Sequence, residues 1–199
     1  MGQHYLSASL GLASFSALPD PAAEIISFWR HSSRFWFEKN PGFDAYFGTH
    51  FSELHDQVMS GEHKSWLADP YAALALLLMT DQYPRFAFRG TVGMYSGDAL
   101  AIQFARLCLK TGYPYQVEER LRLFFFLPFC HSEDLDDHRI SVEFTSLLGN
   151  PWSKQAIDHM EIIRRFGRFP HRNEMLGRAS TQEEVTFLQN GPDPSTMTT

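Results

Sequence analysis

Residues 164–180, RRFGRFPHRNEMLGRAS, combine five arginines and one histidine with two phenylalanines and a proline. Guanidinium groups present a planar fork of donors that suits carboxylates and oxoanions. Gly167 is typical of a helix end, and Pro170 prevents simple continuation, so the phenylalanines should anchor an ordered connection. The polar side chains that this connection would hold in fixed positions are Arg168, His171, Arg172 and Asn173. The remaining arginines, expected in solvent, are Arg164, Arg165 and Arg178.

A second polar cluster follows the apolar run 71–79. A carboxylate near the C-terminal end of a helix is unfavourable unless a cation compensates it, and Arg85 or Arg89 could do so for Asp81. The predicted network or ligand-binding side chains of this cluster are Asp81, Gln82, Arg85 and Arg89.

The third cluster is HSED, at residues 131–134. Acidic residues suit the first turn of a helix, and this accounts for Glu133 and Asp134 but not for His131. Candidate side chains here are His131, Ser132, Glu133 and Asp134. Their spacing could serve a metal, but no HExxH or paired-cysteine pattern accompanies it, so we predict neither metal nor cofactor. Adjacent His131 and Ser132 rarely form a triad, and Cys130 is expected to be buried, which disfavours a nucleophilic mechanism.

The composition narrows the class of protein. A net charge of -6 argues against nucleic acid as a partner, because nucleic-acid binders carry a basic face. No apolar run approaches the roughly 20 residues of a membrane span, and no positively charged region precedes the first apolar residues. We therefore expect a cytoplasmic protein.

Asp or Asn precedes proline at four places, and each pair is typical of a helix start. The pairs are Asp20-Pro21, Asn40-Pro41, Asp69-Pro70 and Asn150-Pro151. Further signals predict a helix from 71 stopped by Pro84, a helix over 116–130 ended or kinked at Pro128, and a cap at Ser132. Ser180 and Glu183 predict a capping box for the last helix.

Apolar residues recur with helical spacing, and no stretch alternates like a strand. The sequence thus predicts an all-α protein of seven to nine helices in antiparallel pairs, as an array or bundle. One domain is expected over residues 20–190, after a flexible segment at 1–19 and before a disordered tail at 191–199.

These motifs resemble the uncharacterised family called domain of unknown function 924. The matching segments are WFEKNPGFD at 36–44, DQYPRFAFRGT at 81–91, LPFCHSEDLDDHRISVEF at 127–144 and RFGRFPHRNEMLGRAST at 165–181. Tyr83 stands where phenylalanine is usual, and Cys130 where methionine is common. The resemblance implies a tetratricopeptide-like all-α fold and brings no established activity, cofactor or partner.

The sequence leaves two hypotheses open. In the first, the chain is a non-enzymatic scaffold whose Asp81, Arg85, Glu133, Arg168 and Arg172 form a buried network, with a protein or peptide as partner. In the second, a hydrolase or transferase acts on a small anionic metabolite. The arginines that would hold the anion are Arg85, Arg89, Arg168 and Arg172, and the candidate catalytic residues are His131, Glu133 and His171.

Overall fold

The computed structural model describes residues 20–190, and its regular elements there are helical without any strand. The α-helices are α1 (Asp20–His31), α2 (Pro41–His50), α3 (Ser52–Ser60), α4 (Pro70–Leu77), α5 (Tyr83–Ala87), α6 (Asp98–Lys110), α7 (Leu127–His131), α8 (Leu135–Ser146), α9 (Trp152–Phe166) and α10 (Gln182–Asn190). A π-helical turn at Leu78–Gln82 joins α4 to α5 without a break. Counting that stretch once gives nine helices in the described range, so the all-α prediction is confirmed. The segments predicted at 1–19 and 191–199 lie outside the described residues.

Two of the four Asp/Asn-Pro pairs act as side-chain caps. The Asn40 side chain accepts from the backbone N–H of Phe43, and Asp69 accepts from two N–H groups at the start of α4, each at 2.9 Å. At Asn150-Pro151 the predicted helix start is confirmed, since α9 begins at Trp152, but the Asn150 side chain does not cap it and instead accepts the Ser153 hydroxyl. The side chain of Asp20 lies outside the described part of the structure.

Pro84 does not end the central helix, contrary to the sequence prediction. The wide turn at Leu78–Gln82 lets the helix pass through the proline and continue to Ala87. Proline has no N–H with which to bond the carbonyl of Thr80, four residues earlier. The backbone of Gly97 lies against that carbonyl, so closely that a Cβ at this position would be 1.9 Å from the oxygen. This crossing fixes the start of α6 beside the helical stretch that carries Asp81.

Pro128 also behaves differently from the prediction. Residues 119–125 form a 3₁₀ helix, and Pro128 then lies in the first turn of α7, where a missing N–H costs nothing. The cap of α8 is Asp134, which accepts from the N–H of Asp136, and not Ser132 as predicted.

The capping box of the last helix lies one residue further on than predicted. Thr181 and Glu184 exchange the two bonds of the box, at 2.7 and 3.2 Å, in place of Ser180 and Glu183. Glu184 takes this position in the capping box because its carboxylate also pairs with Arg168. That contact lies outside the helix, so the local sequence does not reveal it.

The core joins helices from both halves of the chain. Every residue of α4 is buried, and this helix packs between α1 and α6. Trp29 at the centre is wholly buried among aromatic rings. A second, smaller cluster of Ile162, Ile163 and Phe169 anchors the segment after α9. Between residues 20 and 190 no helix combines the length and apolarity needed to span a bilayer. The tetratricopeptide-like arrangement of the helices stays a prediction.

Candidate functional site

Asp81 lies at the centre of a buried set of hydrogen bonds and ion pairs. Its Oδ1 accepts from Nδ1 of His131 at 2.7 Å and lies 3.2 Å from Nη1 of Arg85, while Oδ2 accepts from Gln82 at 2.7 Å. No residue in this group is more than 4% exposed. The π-helical turn and the end of α7, separated by 50 residues of sequence, therefore meet through a charged group in the interior.

Asp98, in the first turn of α6, extends this group to the C-terminal segment. Its Oδ1 lies 2.9 Å from Nη1 of Arg85, and its Oδ2 accepts from Nη1 of Arg172 at 3.1 Å. Asp98 is not among the residues that the sequence predicts for the site, because an acidic residue in a first helical turn is common and nothing distinguishes this one. We call Asp81, Gln82, Arg85, Asp98, His131 and Arg172 the polar network.

Arg172 contacts two aromatic rings. Its guanidinium carbon lies 4.5 Å from the ring centre of Tyr95 and 4.7 Å from that of Phe169. Three buried donors in this neighbourhood have no hydrogen-bond partner among the described residues. They are Nε of Arg172, Nη2 of Arg85 and the hydroxyl of Tyr95.

Glu133 and Arg178 form a second, adjoining pair. Arg178 donates to both carboxylate oxygens at 2.7 and 3.0 Å, and Glu133 also accepts the backbone N–H of Phe169 at 2.8 Å. Arg178 further donates to Asn173, whose amide group bonds to Ser180. The prediction that Arg178 is solvated is wrong, because the fold brings it into contact with Glu133, which lies 45 positions earlier in the sequence.

Two of the four arginines proposed to hold an anion lie elsewhere. Arg89 pairs with Asp44 of α2 at 2.6 Å, and Arg168 makes a two-bond pair with Glu184 of α10 at 2.6 and 2.8 Å. Asp134 is exposed as the α8 cap. The structure thus brings Arg85 and Arg172 together and does not bring Arg89 or Arg168 to them.

Three further histidines surround the ring of Phe169. The ring centres of His138, His159 and His171 lie 5.8, 5.4 and 5.4 Å from it. Each has one buried ring nitrogen without a hydrogen-bond partner among the described residues. Burial is the main cause that lowers the pKa of His138 to about 4, of His159 to about 3 and of His171 to about 4. All three are neutral at pH 7.

Electrostatics fix the protonation of the network. Burial alone would raise the pKa of Asp81, but Arg85 and His131 outweigh it and lower that pKa to about 2. Burial, reinforced by Arg85, lowers the pKa of His131 although Asp81 opposes the change. Burial also raises the pKa of the Cys130 thiol to about 12, so its 3.2 Å contact with His159 joins two neutral groups. At neutral pH the carboxylate is charged, and the imidazoles and the thiol are not.

A small cleft opens on one side of the polar network, with a volume of about 240 Å³. Its walls are the first turns of α6 (Asp98, Ala99 and Ile102), the segment from Pro128 to Glu133 with His131, and Arg172. A larger depression of about 490 Å³ between α9 and α10 contains none of the network residues. Within the described range no group of three or more His, Cys, Asp or Glu side chains is placed to hold a metal ion.

The fold and this site define an all-helical protein in which distant segments meet at a buried polar network. The chain belongs to the family described as bacterial protein of unknown function (DUF924), which matches residues 25–192. It is similar to a solved structure of a protein of unknown function from Agrobacterium tumefaciens. The two share 40% sequence identity and a TM-score of 0.84, over 86% of this chain and 98% of the other. No curated protein matches the chain.

Proposed function

We propose that the chain is a non-catalytic binding protein, in which the polar network locks the C-terminal segment onto the helices of the first half. The observation that carries the proposal is the pair of bonds from His131 to Asp81 and from Arg172 to Asp98. They span 50 and 74 residues of sequence and are made by largely buried side chains. Buried polar networks of this kind favour one arrangement of helices over others when their members are paired.

The state of the reactive side chains supports a binding role over catalysis. Burial raises the pKa of the Cys130 thiol to about 12, so this group is not a thiolate nucleophile at neutral pH. Ser132 donates its hydroxyl to Asp137 at 2.7 Å and not to a histidine. Glu133 accepts three hydrogen bonds, from Arg178 and Phe169, which is the environment of a structural carboxylate and not of a general base.

The enzyme hypothesis needs four arginines around one anion. Arg89 and Arg168 have their own carboxylate partners on other helices, so the geometry does not favour that arrangement. We therefore propose binding without transformation of the ligand.

Hydrogen exchange of an Asp81→Asn variant tests the locking role. Breaking one partner of a buried ion pair costs about 3–5 kcal/mol, because the other charge is left uncompensated. We expect loss of protection in α4 and α5, and also over residues 127–146 and 164–178, which are remote in sequence. The matched control is Asp44→Asn, which breaks the Arg89 pair and should affect only α2 and α5.

Two results would overturn the proposal. One is loss of protection in Asp81→Asn that stays within a few residues of the substitution. The other is multiple turnover of an anionic metabolite, detected by mass spectrometry in a mixture incubated with the protein, that disappears in His131→Gln while its fold is retained.

A further inference from the structure

The cleft beside the network offers unused hydrogen-bond donors. Arg172 lines the cleft, is 7% exposed and bonds Asp98 through Nη1, while its Nε has no partner among the described residues. Arg85 is not part of the cleft wall, but it contacts the other oxygen of Asp98, which is, and its Nη2 has no partner among the described residues. Buried guanidinium N–H groups cost free energy when they make no hydrogen bond, and an oxyanion is the natural acceptor for them.

The same cleft also presents acceptors. Nδ1 of His131 bonds the Asp81 carboxylate, so in the neutral ring the proton is on Nδ1 and Nε2 carries a lone pair. The carboxylate of Asp98 lines the cleft as well, with 22% of its side chain exposed. A ligand with acceptors alone would face these lone pairs unfavourably. The wall therefore selects for a group that both accepts and donates.

The charges around the cleft are already balanced. Three carboxylates stand against three guanidinium groups, and the nearby imidazole is neutral. The carboxylates are those of Asp81, Asp98 and Glu133. The guanidinium groups are those of Arg85, Arg172 and Arg178, and the imidazole is that of His131. A bound oxyanion therefore adds net charge whether or not it is protonated, and what favours a protonated one is that its O–H can donate to an acceptor of the wall.

The volume of the cleft limits the size of the group that it can bind. At about 240 Å³ the cleft is smaller than the roughly 300–1,000 Å³ of pockets that enclose drug-sized ligands. Inorganic phosphate, or the end of a small phosphomonoester, suits this volume, whereas a whole nucleotide does not.

We infer that the cleft binds a phosphate group that retains an O–H, with its unprotonated oxygens toward Arg172 and its hydroxyl toward His131 or Asp98. The group is free phosphate or a singly protonated monoester, which share this chemistry. The inference rests on the proposed binding function and names the ligand class for the same site.

Isothermal titration with phosphate and with sulfate, at pH 7.5 and equal ionic strength, tests this inference. Sulfate has the same shape but no O–H, so we expect phosphate to bind at least about tenfold more tightly, because a site built to accept a hydroxyl rejects the analogue that lacks it. Equal binding of the two anions, or no binding of phosphate, would overturn the inference. Neither outcome bears on the locking role, which hydrogen exchange of Asp81→Asn tests separately.

Glycerol phosphate distinguishes the two sources of the group. Its second ionisation has a pKa of about 6, so it keeps an O–H near pH 5.5 and loses most of it by pH 7.5. A monoester site should bind it at the lower pH and much less at the higher one, whereas a site for free phosphate alone should bind it at neither. Binding that is equally tight at both pH values would contradict the requirement for an O–H.

Substitution of Ala99 locates the ligand without disturbing the network. Ala99 is exposed at the rim of the cleft, so Ala99→Tyr should fill the opening, abolish phosphate binding and leave the melting temperature without phosphate unchanged. Gln103→Tyr, exposed on the same helix and away from the cleft walls, is the matched control and should bind like the wild type. Wild-type affinity in Ala99→Tyr would place the ligand elsewhere and refute the assignment.

A second variant examines the selectivity itself. Asp98→Asn replaces a carboxylate acceptor with an amide that can also donate, so sulfate should gain affinity and the preference for phosphate should fall towards one. An unchanged ratio of the two dissociation constants would remove Asp98 from the selective wall.

Discussion

Lowering the pH from 7.5 to 5.5 should destabilise the protein, because His138 and His159 are buried in neutral form. The folded state lowers their pKa values to about 4 and about 3. Between about pH 6.5, the ordinary pKa of histidine, and these folded pKa values, the unfolded chain therefore binds more protons than the folded one. The stability that the neutral rings contribute is therefore lost progressively as the pH falls from about 6.5 towards their folded pKa values.

The size of the effect follows from that difference in proton binding. At pH 5.5 the protonation of one such histidine in the unfolded chain lowers the free energy of unfolding by a little over 1 kcal/mol, hence about 3 kcal/mol for the two. Neither side chain is more than 3% exposed, so solvent screening does not reduce the figure. His131 and His171, whose pKa values are also lowered, act in the same direction. Asp81 loses its contribution only between about pH 4 and pH 2, a separate window.

Urea denaturation at pH 7.5, 6.5 and 5.5 and constant ionic strength measures this loss. The His138→Gln variant should show a smaller decrease over the same interval, because one of the titrating rings is absent and glutamine can still donate to the Ser132 carbonyl. His31→Gln, an exposed position on α1, serves as the control. A free energy of unfolding that is equal at pH 7.5 and 5.5 would refute the reasoning, since the histidines would then be charged inside the folded protein.

Three further substitutions have expected outcomes in thermal denaturation. Gly97→Ala places a Cβ 1.9 Å from the Thr80 carbonyl, so we expect a loss of about 2 kcal/mol or more, and a wild-type melting temperature would mean that the crossing can relax. Asp69→Ala removes the cap of α4 and should cost about 1 kcal/mol, with Asp69→Asn as the control that keeps an acceptor. Glu133→Gln weakens the pair with Arg178 and should cost about 1–2 kcal/mol at neutral pH, whereas an unchanged midpoint would mean that this carboxylate is solvated.

Local signals in the sequence predicted local structure well. Asn40 and Asp69 cap their helices because the acceptor and the N–H groups it satisfies are within three residues of each other. Pro84 and Pro128 misled the prediction because the effect of a proline depends on its surroundings. A π-helical turn carries the chain past Pro84, and the start of a new helix accommodates Pro128.

In the candidate site, too, the sequence predicted what depends on single residues and missed what depends on distant partners. The sequence indicated which polar side chains were unusual, and the structure brings several of them together around Asp81. It could not indicate Asp98 or the partner of Arg178, since both pairings join residues more than forty positions apart. Nor could it separate Arg168 from Arg172, because neighbours on a tight connection point to different partners, Glu184 and Asp98.

Asp98 and Arg172 are 74 positions apart, and this separation has a consequence during synthesis. A ribosome delivers the chain from its N-terminus, so the helices that carry Asp81 and Asp98 emerge long before the arginine that completes their set of partners. Until then Asp81 and Asp98 share one guanidinium group, that of Arg85. Burial of both carboxylates is therefore less favourable in the incomplete chain than in the complete one. The guanidinium that completes this network is thus among the last of its parts to be synthesised.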